Sequence, residues 1–190
     1  MPLPRFQRLP PAAQAAFLDV ARAHFARDGR DGASLNRIVE DAGISKSSAY
    51  HYFDGKDDLF ATVAADTLLR IGAELGPWPG ADTEAALWDR FHDASTRLSE
   101  FLLAHPEHRA LLERIDTAAE PSPWLRAFFA NAVALGLVDT APNAELLEGA
   151  TLAVLQATDQ WALPRLSSPD AAVAVSVAAE ALLRRLWRGG

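Results

Sequence analysis

The sequence predicts an all-α protein, and three observations carry that expectation. Of its 190 residues, 49% are hydrophobic but only 8% aromatic, and alanine and leucine, both strong helix formers, supply most of the apolar content. Runs of β-branched and aromatic residues bounded by turn signals, which announce strands, are nearly lacking. Apolar residues instead recur at three- and four-residue spacing between Gly, Pro, Ser and Asn punctuation. A chain of this length and apolar content can bury a substantial core. No stretch approaches the roughly 18 consecutive apolar residues of a membrane span, and Met1-Pro2-Leu3-Pro4-Arg5 has no apolar signal-peptide core. Cysteine is absent, so a cytoplasmic protein without disulfides or thiolate metal sites is expected.

The first helix opens at Pro10-Pro11, where proline suits the first turn, and has an apolar stripe at Phe17, Val20, Ala21, His24 and Phe25. It stops at Asp28-Gly29, glycine being suited to the left-handed position after a helix. Ser34 caps a short helix whose inner face is Leu35, Ile38, Val39 and Ala42. Ala42-Gly43-Ile44 then turns the chain, and Ser45 caps another short helix beginning at Lys46. Two short helices joined by a glycine-containing turn have the local pattern of a helix-turn-helix. Phe53-Asp54-Gly55-Lys56 interrupts the chain again, before a longer helix from about Lys56 to Leu75. After the break Gly76-Pro77-Trp78-Pro79-Gly80, helices are predicted from Glu84 to about Ala104 and from Pro106 to about Ala119. Three more follow, from Ser122-Pro123 to near Leu137, from Asn143 to about Leu163, and from Ser168-Pro169 to about Trp187. That makes nine helices. Residues 1–56 are read as a helix-turn-helix domain, 56–75 as a connecting helix, and 76–190 as a second domain.

Both lysines and both tyrosines of the chain fall between Lys46 and Lys56. The formal net charge is −7, which disfavours a nucleic-acid partner until it is divided along the chain. Residues 1–70 hold nine Lys or Arg against nine Asp or Glu, whereas residues 71–190 hold nine against sixteen. The acidic excess belongs to the second part, and a ligand feels only the field within a Debye length of about 8–10 Å. On a helix starting at Lys46, the side chains of Lys46, Ser47 and Tyr50 share one side, and Ala49 with the following Phe53 takes the other. A helix this short, polar on one side, suits a major groove about 12 Å wide. Phe25, Leu35, Ile38, Ala42, Phe53, Leu59 and Phe60 are expected in the core.

The run Ser34 to Phe60 contains Ala42-Gly43-Ile44-Ser45-Lys46, then Tyr50-His51-Tyr52-Phe53, then Gly55-Lys56-Asp57-Asp58-Leu59-Phe60. It resembles the DNA-binding region of the TetR family of bacterial transcriptional regulators, the likeness extending over about residues 13–62. The chain departs from that pattern at Arg30, where the family carries an aromatic, and at Ala33, where threonine is common. The resemblance implies that Ser34 caps the second helix and offers a phosphate contact. It also implies that Lys46, Ser47, Ser48, Tyr50 and His51 line a recognition helix, with Tyr52 and Lys56 on the DNA backbone and Ser45, Asn36 and Arg37 completing the interface. The residue types agree: lysine is a flexible point charge for phosphate, tyrosine offers a ring and a hydroxyl, and histidine can donate from a ring nitrogen. About four phosphates per subunit would give a dimer a log-log salt slope of about −7 on a palindromic or near-palindromic double-stranded operator.

For the second part the resemblance implies a homodimer through the last two helices and a cavity for a small-molecule effector. The last helix, with Ala171 to Leu183 apolar around much of its circumference, needs cover on more than one face. Trp88, Phe91, His92, Ser95, Trp124, Phe128, Gln156, Asp159 and Gln160 are the candidate ligand contacts, mixing apolar walls with a few polar groups; ordinary aromatic core is the competing reading. The expected function is a ligand-responsive transcriptional repressor released by an apolar or amphipathic effector. The alternative is a DNA-binding regulator with a protein partner or no effector. A remote third reading is an all-helical enzyme using His92, His105, His108, Asp116 or Asp159. The chain lacks metal-ligand spacing, a phosphate-binding glycine loop and a nucleophile elbow, so neither an enzyme nor any metal or cofactor is expected.

Overall fold

A computed structural model describes residues 2–115, 122–141 and 143–188. The described residues contain ten α-helices, one 3-10 turn and no strand. The helices are α1 (Pro4–Gln7), α2 (Pro11–Gly32), α3 (Leu35–Asp41), α4 (Lys46–Tyr52), α5 (Gly55–Leu75), α6 (Glu84–Ala104), α7 (Pro106–Leu112), α8 (Pro123–Ala134), α9 (Ala144–Ala162) and α10 (Pro169–Trp187). The nine expected helices are therefore joined by a short tenth, α1, and α5 starts one residue earlier than expected. Gly136, at φ 70°, stops α8 before Leu137. There the Leu137 and Gly136 N–H groups close back on Ala132 and Val133. α7 ends at Leu112 rather than near Ala119, its exit tightening to an Arg114 N–H bond on the Leu111 carbonyl; residues 116–119 of that expected helix lie outside the described residues. Among the described residues no helix is long and apolar enough to cross a membrane.

The chain divides into two compact units. One holds the described residues up to Arg70 together with His105–Ile115, and the other holds Ile71–Ala104 with the described residues from Ser122 on. These units divide the chain at other places than the sequence reading: most of α5, read there as a connecting helix, and all of α7 fall in the first unit. The reason is side-chain placement, since α7 buries Leu111 completely in the core that also holds Phe17, Phe25 and Leu59.

That first core is built around aromatic rings. Phe17 stacks on Phe53 at 5.5 Å between centroids, Phe6 lies 4.7 Å from Phe53, and Phe25 meets Phe60 edge-on at 5.1 Å. Ile38, Leu59 and Val63 are fully buried, and Leu35, Ala42 and Phe60 pack at the margin. Gly29 sits at φ 72°, ψ 175° inside α2, a conformation reserved for glycine, and kinks the helix where the sequence places its end. Arg22 is the exception to the apolar stripe. It is 1% exposed, and its guanidinium meets Asp19, Asp66 and the Thr67 hydroxyl.

His108 of α7 is 2% exposed, and burial, assisted by the nearby Arg22 charge, lowers its pKa from 6.5 to about 4. The native state thus holds the neutral ring over a window in which the unfolded chain is protonated. The unfolded state binds more protons between about pH 6.5 and 4, so stability is intact above that window and falls as pH drops through it. The loss from this one group is on the order of 3 kcal/mol. Urea titrations at pH 7.5 and 4.5 are expected to show it, and His108→Leu is expected to flatten that part of the profile.

In the second unit Trp78, Trp88, Phe91, Trp124, Phe128 and Trp187 pack on one another, with Phe128 fully buried at their centre. Asn131 latches the 78–81 segment onto α8: its Oδ1 accepts from the Trp78 indole at 2.8 Å and from the Ala81 N–H, and its Nδ2 donates to the Ala81 carbonyl. α10 turns Ala172, Ser176, Ala179, Leu183 and Trp187 inward, while Val173, Val177 and Leu182 are exposed.

Candidate nucleic-acid interface

The turn between α3 and α4 is specified bond by bond. Gly43 takes φ 67° after the end of α3, the Ile44 N–H reaches back to the Val39 carbonyl, and the Gly43 N–H bonds the Glu40 carbonyl. This closes the helix with the two bonds of a Schellman motif. Two residues later Ser45 Oγ accepts the Ser48 N–H at 3.1 Å and starts α4. α3 is tied to α2 by His24, whose Nε2 lies 2.7 Å from Asp41 Oδ2.

On α4, Ala49 is buried and lets the helix pack closely, and Phe53 is buried just past its end. Lys46, Ser47 and His51 are exposed, as is Tyr50 at 63%. A tyrosine this open is an amphipathic ring displayed to solvent beside a free ammonium, a surface able to bind phosphate and base edges. Ser45 and Ser48 have their hydroxyls 2.8 Å apart, so both are partly occupied in the cap itself. Asn36 and Arg37 are exposed on α3.

Three of the expected contacts stand differently from the sequence reading. Ser34 occupies the position before α3, but its side chain makes no capping bond; its backbone carbonyl accepts the first helical bond, from Ile38. Tyr52 is half-buried, its ring edge-on to Phe6 at 5.9 Å. Lys56 Nζ donates to the Asp31 carbonyl at 2.8 Å, so it joins α5 to the end of α2. Arg30, standing where an aromatic was expected, keeps a contact of that kind by lying 5.7 Å from the Phe60 ring. The hydrogen bond Arg30 donates also holds the Asp57 carboxyl below its usual range. What sequence reasoning missed is the support of α4 by Leu3 and Phe6; the one available signal was a phenylalanine isolated among prolines and polar residues.

The nine candidate effector contacts fall into separate settings. Trp88, Phe91, Trp124 and Phe128 lie in the packed aromatic core. His92 bridges α6 to α10, with Nδ1 2.9 Å from Ser176 Oγ and Nε2 2.6 Å from Glu180 Oε2. Ser95 donates to the Phe91 carbonyl of its own helix. Gln156 is half-buried, whereas Asp159 and Gln160 are exposed and do not share the enclosure of the rings. Of the residues considered for catalysis, His108 is core and His105 leads into α7, and Asp116 lies outside the described residues.

Residues 17–63 match the family model of bacterial regulatory proteins, tetR family. The chain is 33% identical over 105 residues to the HTH-type transcriptional repressor SCO4008 of Streptomyces coelicolor, covering 55% of this chain and 50% of that protein. It is 30% identical over 100 residues to the HTH-type transcriptional repressor AcnR of Corynebacterium diphtheriae, 52% of this chain and 45% of that one. The chain thus spans about half the length of the curated relatives it matches. The fold is shared more widely. A TetR-like transcriptional regulator from Rhodococcus sp. RHA1 superposes with a TM-score of 0.62 at 23% identity, over 93% of this chain and 98% of that one. A TetR family transcriptional regulator from Chloroflexus aurantiacus does so at 0.58 and 23% identity, over 100% and 98%. Residues 17–63 are thus similar to the tetR family of bacterial regulatory proteins, and the chain shares the fold of solved TetR-like regulators.

Proposed function

We propose that the protein is a DNA-binding transcriptional repressor that grips a palindromic operator as a homodimer. The observation that carries this reading is α4: a capped helix of seven residues, anchored by Ala49, that displays Lys46, Ser47, Tyr50 and His51 to solvent. Asn36 and Arg37 stand on α3 before it, and Ser34, Ser45, Ser48, Tyr52 and Lys56 frame it. The repressor names of the curated relatives favour repression as the outcome. Selection of bound duplexes from a random pool tests the reading: it is expected to enrich an inverted repeat, and no enrichment would overturn it.

Dimerisation is supported by an unpartnered apolar face. An open groove of about 350 Å³ between α9 and α10 is lined by Val154, Ala157, Thr158, Trp161, Ala178 and Leu182, and Val173 and Val177 are exposed along the same helix α10. A second copy related by a two-fold axis would cover this face and set two recognition helices one duplex turn, about 34–36 Å, apart. Val177→Glu places like charges across such an axis. It is expected to yield a monomer by sedimentation at micromolar concentration, with unchanged helicity and at least about a tenfold loss of operator affinity.

Release by an apolar or amphipathic effector is the accompanying proposal, operator and effector weakening each other by one coupling factor. It is supported by Trp88 Nε1, a buried donor with no hydrogen-bond partner among the described residues, inside the aromatic cluster. A ligand carrying an acceptor would satisfy it. Screening compounds for release of the selected duplex distinguishes this from a regulator without a small-molecule effector.

A further inference from the structure

We propose that α1 is a second DNA-contacting element, in which Arg5 and Arg8 bind backbone phosphates beside the far end of the recognition helix. The inference depends on the DNA-binding function proposed above and extends it to residues outside the helix-turn-helix.

Residues 1–70 contain nine cationic side chains. Five are engaged: Arg22, Arg27, Arg30 and Arg70 pair with aspartates, and Lys56 bonds a backbone carbonyl. Arg5, Arg8, Arg37 and Lys46 make no hydrogen bond or ion pair among the described residues. Within residues 1–70 the charge that is free to act outward is therefore gathered on α1 and the residue after it, on α3 and on α4. Arg37 and Lys46 already belong to the proposed interface. Arg5 and Arg8 are held next to it by two independent contacts. The Leu3 N–H donates to the Tyr52 carbonyl at 2.8 Å, at the last residue of α4. The Phe6 ring, 2% exposed, packs against Tyr52 and Phe53. With Phe6 turned inward, Arg5 and Arg8 on either side of it are exposed.

Geometry makes this placement useful. Lys46 and Tyr52 are separated by about 9 Å along α4 at 1.5 Å per residue, close to the roughly 12 Å width of a major groove whose two walls are phosphate rows. Lys46 at one end and two arginines beside the other put cations within reach of both walls. Arginine forks onto phosphate oxygens, and the docking of α1 fixes the backbone from which both side chains extend.

The test is the salt dependence of binding to the selected duplex. With Arg5 and Arg8 added to about four phosphates per subunit, a dimer reaches about twelve, and the log-log slope is expected near −11 rather than −7. Arg5→Gln/Arg8→Gln is expected to return it to about −7, so that between 50 and 200 mM salt the wild type loses about 150-fold more affinity than the variant. Arg5→Lys/Arg8→Lys is expected to keep most of the steeper slope. Both sites are exposed and unpaired, so the variants fold. Wild-type binding with the same slope in the Gln variant overturns the proposal and leaves the recognition helix standing. Failure of the wild type to bind any duplex overturns the DNA-binding reading itself.

Discussion

Arg22→Met is expected to destabilise the first unit by about 3–5 kcal/mol, the cost of breaking one side of a buried charge cluster. The Arg22 guanidinium donates to the fully buried Thr67 hydroxyl at 3.1 Å and to Asp19 and Asp66, and Arg70 pairs with the same two aspartates at 3.0 Å. Methionine preserves most of the volume, so the loss isolates the charge. Asp66, 25% exposed, would keep only Arg70. The double variant Arg22→Met/Asp66→Leu is expected to recover part of the loss, because removing both charges also removes their desolvation. Asp19→Asn, at a side chain 52% exposed, is expected to cost less than about 1 kcal/mol. Urea unfolding of the wild type, Arg22→Met, Asp66→Leu and the double variant measures the coupling, and Arg22→Met near wild-type stability would contradict the account.

Phe128→Ala is expected to be as damaging in the second unit, about 3–5 kcal/mol. Its ring lies 5.2 Å from Phe91, 5.3 Å from Trp78, 5.6 Å from Trp187 and 5.7 Å from Trp124, so truncation removes the centre of the cluster rather than an edge. Because three of these neighbours are tryptophans, thermal unfolding followed by intrinsic fluorescence reads the change directly. A loss below about 1 kcal/mol would mean that the cluster relaxes to fill the space, and the rings would then be better described as walls than as core.

Local signals with a single physical solution were legible in the sequence. Ser45, Ser122, Asn143 and Ser168, each at a helix start read from the sequence, accept a capping bond, and positive φ ends a helix at Gly43 and kinks one at Gly29. The polar side of α4 followed from helical spacing alone. What escaped depended on partners distant in sequence. Ser34 has the right type and position for a cap, but its rotamer makes no such bond. Arg22 interrupts an apolar stripe and reads as a surface residue until Asp66 and Thr67, over forty residues away, are brought to it. α7 follows α6 directly in sequence yet buries Leu111 in the other unit. α1 is a single turn, too short for periodicity, and its register comes from Phe6 finding Phe53. The aromatic residues of the second unit have the composition of a pocket and of a core alike, and only their mutual stacking separates the two.

The central claim, that the exposed side of α4 reads DNA, is tested most directly by mobility shifts of Lys46→Ala and Tyr50→Ala on the selected duplex and its variants. Lys46→Ala is expected to weaken binding to all duplexes alike and to make the salt slope shallower by about 1.8 for the dimer. Tyr50→Ala is expected to change the relative preference among operator variants by about tenfold. Full affinity and unchanged preference in both variants would contradict the account.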